Sequence, residues 1–110
     1  MDLQLIETVE EFEKITEKDD TFFLLKHSIA CPISAEAKVQ FENYASESKT
    51  PTYILHVQEA RPLSNEIAEK YGVKHESPQA LLFQKNKIVW NASHWDVTKK
   101  ALLDVDKQYM

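Results

Sequence analysis

Lys26-His27-Ser28-Ile29-Ala30-Cys31-Pro32-Ile33-Ser34 holds the only cysteine in 110 residues. The run before it, Phe22-Phe23-Leu24-Leu25, is apolar enough for a buried strand. The segment after it, Ala35 to Ser48, has the spacing of an amphipathic helix. Cys31 therefore stands where a helix begins. Unpaired N–H groups and the positive end of the helix dipole favour an anion there. The anionic form of cysteine is its nucleophile. A lone cysteine is often a small buried apolar residue instead. Its place ahead of Pro32, which suits a first helical turn, argues for a reactive thiol.

Working outward, Leu3 to Ile6 is a short edge strand. Thr8-Val9-Glu10-Glu11 is a capping box, and Val9, Phe12 and Ile15 carry a helical face to about Lys18. Asp19-Asp20 is a turn, and Thr21 to Lys26 is a central strand. In the helix after Cys31, the spacing puts Ile33, Ala37, Phe41 and Tyr44 or Ala45 on the buried face. Thr50-Pro51 ends it, and Thr52 to Val57 is a second buried strand. Arg61-Pro62 opens another helix with Leu63, Ile67, Ala68 and Tyr71 inward and Gly72 as its C-terminal cap. A salt bridge at that helix start is the expectation for Arg61. Ala80 to Gln84 is a third strand. Lys85-Asn86-Lys87 is a tight turn, and Ile88 to Asn91 returns antiparallel. Ser93-His94-Trp95-Asp96 reads as a second capping box, starting a last helix with Val97, Ala101, Leu102 and Val105 inward.

The order β-α-β-α-β-α-β-β-α predicts an α/β fold. Its core is one mixed four- or five-stranded sheet flanked by helices on both faces. No linker or repeat divides it, so residues 1–110 read as a single domain. A net charge of −5 and no basic cluster argue against nucleic-acid binding. Apolar runs of about four residues are far below the roughly 20 that span a bilayer, and no basic leader opens the chain. With one cysteine, no internal disulfide forms. A cytoplasmic protein is expected.

The chain resembles the thioredoxin-fold proteins over nearly its whole length. Two motifs carry the resemblance: Cys31-Pro32-Ile33-Ser34 after the first long strand, and Ser77-Pro78 before the strand at Ala80. It implies that Pro78 is cis and faces Cys31, and that Ser77 offers backbone groups to a substrate chain. The finer resemblance is to the monothiol bacilliredoxins. It rests on Lys26-His27-Ser28, Cys31-Pro32-Ile33-Ser34, Arg61-Pro62-Leu63-Ser64, His75-Glu76-Ser77-Pro78-Gln79 and Ala92-Ser93-His94-Trp95 together. Ala30 departs from the family, which usually carries a basic or polar residue there. No cation is expected from that position.

The resemblance implies that Cys31 attacks the mixed disulfide between a protein and bacillithiol and takes up bacillithiol. An external thiol then regenerates it. Ser34 stands where a dithiol enzyme has its second cysteine, so the chain cannot resolve its own intermediate. Ser34 is also placed to hydrogen-bond the thiolate. Lys26 and His27 are candidates for lowering the thiol pKa by positive charge. Ser93, His94 and Trp95 are candidates for holding bacillithiol, whose malate carboxylates suit a helix N-terminus. The competing reading of these three is an N-cap with an aromatic packed on the sheet. The expected catalytic residues are thus Cys31, Ser34 and Pro78. The expected substrate-binding residues are Lys26, His27, Pro32, Ser77, Ser93, His94 and Trp95.

His56, His75 and His94 show no zinc spacing with Cys31, so no metal and no tightly bound cofactor are expected. Bacillithiol is the co-substrate and S-thiolated proteins are the partners, with the protein a monomer. One alternative is a non-catalytic thioredoxin-like module that docks proteins or senses redox state. A second is an iron–sulfur carrier resembling the monothiol glutaredoxins. Pro32-Ile33 stands where that motif has Gly-Phe, and Asn91-Ala92-Ser93 where it has a glycine pair.

Overall fold

The computed structural model describes residues 3–109. Five strands form one mixed sheet in the order β1-β3-β2-β4-β5. In chain order these are β1 (Gln4–Leu5), α1 (Val9–Lys18), β2 (Thr21–His27), α2 (Pro32–Glu47), β3 (Thr52–His56), α3 (Arg61–Tyr71), β4 (Gln79–Gln84), β5 (Lys87–Ser93) and α4 (Lys99–Tyr109). A 3-10 turn at His94–Asp96 separates β5 from α4. The middle strand is β2, as its apolar run requires. It pairs parallel with β3 and antiparallel with β4, in a register that sets Phe22 against Phe83 and Lys26 against Gln79.

Strand alternation divides the core into two halves. Phe22 and Leu24 face a layer built with Phe12 and Ile15 of α1 and Leu63 and Ile67 of α3. Phe23 and Leu25 face Ala37, Phe41 and Tyr44 of α2 and Leu102 and Val105 of α4. The two layers bury helices on both faces of the sheet. Local signals place the ends of several elements. Thr8 and Glu11 form the reciprocal capping box of α1. Gly72 ends α3 at a φ of 67°, where a side chain is strained. Lys85 and Asn86 both take left-handed φ, the geometry of a two-residue hairpin turn.

Three local expectations are corrected. The buried face of α2 starts at Ser34 rather than Ile33: Ser34 is fully buried and Ile33 only half-buried. Ser34 lies one turn before Ala37, so it continues the inward stripe of Phe41 and Tyr44. The last helix does not start at Ser93, whose side chain caps nothing. His94 sits at a φ of 55°, which interrupts a helix. Thr98 caps α4 instead, its hydroxyl accepting the Ala101 N–H at 3.1 Å. Arg61 makes no ion pair among the described residues.

Candidate functional site

β2 ends at His27 and α2 begins at Pro32, so Cys31 is the N-cap of a sixteen-residue helix. Its carbonyl accepts the Ala35 N–H at 3.1 Å, the first bond of α2. The sulfur makes no formed cap hydrogen bond in this conformation. The thiol is nevertheless held below its ordinary pKa. The Ser34 N–H is the main cause, followed among the favourable groups by the Ile33 N–H and the Ser34 hydroxyl, while partial desolvation opposes them. These are the orphan donors of a helix N-terminus turned to a nucleophile. Cys31 is half-buried, so the thiolate remains open to attack a disulfide.

Ser34 has a second task. Its oxygen accepts the Ser28 N–H at 3.2 Å, tying the loop before Cys31 to the first turn of α2. Ser34→Ala should therefore raise the Cys31 pKa, read by thiolate absorbance near 240 nm. The value stays below that of a free thiol because the backbone donors remain. The Ser28 N–H loses its acceptor, and stability falls by about 1–2 kcal/mol. An unchanged thiol titration would remove the hydroxyl from the site.

Lys26 and His27 are placed elsewhere. Neither is among the groups that shift Cys31. Lys26 is 1% exposed on the α1/α3 side of the sheet. Its Nζ donates to the Ser64 carbonyl at 3.0 Å and lies 3.4 Å from His75 Nδ1. Burial pushes its pKa down to about 8. His27 faces the α2 side, and its buried Nδ1 has no hydrogen-bond partner among the described residues. Burial first, and then the neighbouring His56 and Lys38, hold its pKa below the usual histidine value. Its charged form is therefore disfavoured. Alternation along β2 is the signal that separates these two side chains: Lys26 continues the Phe22-Leu24 face and His27 the Phe23-Leu25 face.

The Lys26 value has a consequence for stability. The ordinary lysine value is 10.5 and the folded value about 8. Between these the unfolded chain binds more protons at this site, so stability rises with pH. Tyr44, Tyr53 and Tyr71 are all raised by burial and oppose the rise above the free phenol value near 10. From pH 7.5 to 9.5, wild type should gain roughly 2 kcal/mol relative to Lys26→Met, measured by urea unfolding of both. Cys31 is common to both proteins and cancels. A parallel pH dependence in the two would rule out a strained lysine.

Pro78 and Ser77 lie at the same end of the sheet, because Gln79 pairs with Lys26 just before the Cys31 loop. The Ser77-Pro78 bond is cis, Pro78 is buried, and the buried Ser77 hydroxyl has no hydrogen-bond partner among the described residues. His94 joins this loop to the 3-10 turn. Its N–H donates to the Pro78 carbonyl at 2.9 Å, and its Nε2 lies 3.4 Å from a Glu76 carboxylate oxygen. Ser93 closes β5 opposite Gln79. Trp95 is 65% exposed and does not pack on the sheet.

A cavity of about 400 Å³ lies between the first turns of α2 and the 3-10 turn. It brings Ile33 together with His94 and Trp95. Glu36, Gln40 and Thr98 also line it. These three escaped sequence reading because only the docking of the 3-10 turn against α2 makes them neighbours. The i, i+4 spacing of Glu36 and Gln40 was the available signal. The remaining histidines do not converge. His56 pairs with Glu59 at 3.1 Å, and His75 contacts Lys26 and Ser64.

Comparison with known proteins shows the family and the fold. The family model described as monothiol bacilliredoxin BrxC matches residues 4–102. A solved thioredoxin-fold structure assigned as an oxidoreductase is 40% identical. That match covers 94% of this chain and 93% of the other, with a TM-score of 0.90. A mutant thioredoxin from Halobacterium salinarum is 19% identical, covering 98% of this chain and 90% of its own, at a TM-score of 0.81. Schistosoma mansoni thioredoxin is 13% identical, covering 99% and 96%, at 0.79. These last two bear on the fold alone.

Proposed function

The chain belongs to the monothiol bacilliredoxin family, and from that premise we propose that it removes bacillithiol from S-bacillithiolated proteins. One observation carries the reading. The only cysteine in the chain caps a helix whose first N–H groups favour its thiolate, and Ser34 stands at the resolving position. Cys31 thiolate attacks the bacillithiol sulfur of the mixed disulfide. The protein–bacillithiol S–S bond breaks, the client thiolate leaves and takes a proton, and a Cys31–bacillithiol disulfide forms. A second bacillithiol, as thiolate, attacks the bacillithiol sulfur of that adduct. Cys31 thiolate departs, and the two bacillithiols leave as their disulfide. Electrons balance: the client cysteine is reduced to a thiol and the incoming bacillithiol thiol is oxidised, one disulfide being exchanged for another.

In this account Ser34 and the Ile33 N–H hold the thiolate, and Pro32 sets the first turn of α2. The Ser77-Pro78 loop is the wall along which the client backbone lies. Ser93, His94 and Trp95 face the small thiol. Exposed Ile29, 55% accessible two residues before Cys31, offers the client an apolar contact. Lys26 and His27 act through loop and helix packing rather than by touching substrate. The protein works in the cytoplasm as a monomer and needs no bound cofactor, nucleic acid or membrane. No helix among the described residues is long and apolar enough to cross a membrane.

Mixing the reduced protein with a bacillithiolated client and following both by intact mass tests the reading. The expected result is bacillithiol lost from the client and gained on Cys31. A client that keeps its bacillithiol, or a covalent client–Cys31 adduct as the main product, would overturn it.

A further inference from the structure

Resting on that function, we infer that Lys26 is a positioning residue. Its buried ammonium holds His75, and through His75 the irregular segment 73–78. The Ser77 backbone is thereby kept ready for the client chain at the Cys31 end of the sheet.

The first observation is the cost of the residue. Lys26 is buried on the middle strand and makes no ion pair among the described residues. A buried ammonium without a counter-charge destabilises a fold, and an apolar side chain in its place would not. The second is where its hydrogen bonds go. Nζ donates to the Ser64 carbonyl, early in α3, at 3.0 Å and lies 3.4 Å from His75 Nδ1. An ammonium only donates, so Nδ1 accepts and the ring proton sits on Nε2. His75 is itself exposed, yet its Nδ1 is turned inward, 3.3 Å also from the Ser64 hydroxyl. Burial first, and then Lys26, favour the neutral ring that can accept, while Glu76 opposes them and Arg61 adds to them.

The third observation is Gln79, directly across from Lys26 on β4 and equally buried. Cross-strand partners share a face. The Gln79 amide donates to the Lys74 carbonyl at 3.0 Å, and its oxygen accepts the Glu76 N–H at 3.4 Å. Two adjacent buried polar side chains thus reach the same short stretch. One takes the His75 ring and the other the backbone on either side of it. Segment 73–78 belongs to no helix or strand, so side chains must anchor it. It carries the Ser77-Pro78 wall, and the Pro78 carbonyl accepts the His94 N–H at 2.9 Å. Neither Lys26 nor His75 is among the groups acting on the Cys31 thiol. The latch therefore governs how the client chain is held and leaves the nucleophile unchanged. A loosened loop binds the same client more weakly, because each binding event must first order it.

The test compares the full-length protein with Lys26→Met, His75→Leu and His75→Asn. The first two remove the donor and the acceptor in turn. Asparagine keeps an acceptor close to the place of Nδ1. kcat and KM are measured on a bacillithiolated client protein. Cys31 is also timed against dithionitrobenzoate, a small disulfide that needs no wall. Hydrogen exchange is followed at the His94 N–H, and thermal melts confirm folding. Lys26→Met and His75→Leu should raise KM about tenfold, with kcat and the small-disulfide rate within about twofold of wild type. Exchange at His94 should accelerate about tenfold in both. His75→Asn should bring KM and exchange back to within about threefold of wild type. An unchanged KM in Lys26→Met and His75→Leu, or an equal loss on the small disulfide, would overturn the inference and leave the function standing. A wild type inactive on the bacillithiolated client would overturn the function instead, and the His94 exchange rates then decide the inference alone.

Discussion

Under the proposed function, Cys31→Ser should lose the transfer of bacillithiol by at least on the order of a thousandfold. A serine hydroxyl is a far weaker nucleophile than a thiolate near neutral pH, and the chain has no other sulfur nucleophile to substitute. The donors that favour the thiolate, the Ser34 and Ile33 N–H groups, cannot bring a serine hydroxyl into its ionised range. The fold should persist, because Cys31 is half-buried at the cap and packs in neither core layer. Single-turnover mass measurements on the variant should show the client still bacillithiolated, with an unchanged melting curve. A variant that retains a tenth of the wild-type rate would place the nucleophile outside this chain.

Phe22→Ala should cost about 3–5 kcal/mol of stability, the range for deleting a fully buried aromatic ring. Phe22 is 1% exposed and stacks on Phe83 at 4.7 Å with the planes 9° apart. Phe12 and Tyr53 meet it edge-on at 6.1 and 5.7 Å. Phe22 and Phe83 are directly opposed on β2 and β4, so the deletion also weakens the pairing at the centre of the sheet. Against a typical total of about 5–15 kcal/mol, the loss should lower the melting temperature by roughly 15–30 °C. The surviving folded fraction should keep the Cys31 pKa, since Phe22 faces α1 and α3 while the thiol sits on α2. A cost under 1 kcal/mol would mean that the aromatic layer relaxes into the space.

These two residues show how unevenly the chain can be read before folding. Strand β2, the helix after Cys31 and the Gly72 cap follow from short-range physics: apolar runs, 3.6-residue spacing and a position that tolerates positive φ. The placement of Cys31 was legible for the same reason, because a helix N-cap is a local feature. Tertiary partners were not. Ser93-His94-Trp95-Asp96 carries the residue types of a capping box, yet β5 holds Ser93 and His94 turns left-handed to reach the Pro78 carbonyl. The helix start then moves to Thr98. Lys26 and His27 were grouped by their closeness to Cys31 in the chain, although strand alternation sends them to opposite faces. Glu36 and Gln40 gained meaning only when the 3-10 turn closed a cavity against α2.

In the proposed function the single thiol of the chain accepts bacillithiol and has no means of releasing it. The most direct test isolates the Cys31–bacillithiol adduct, removes all free thiol and follows it by intact mass. The adduct should persist for as long as no thiol is present and return to free Cys31, with one equivalent of bacillithiol disulfide, when bacillithiol is added. Release without an added thiol, or persistence in its presence, would contradict the account.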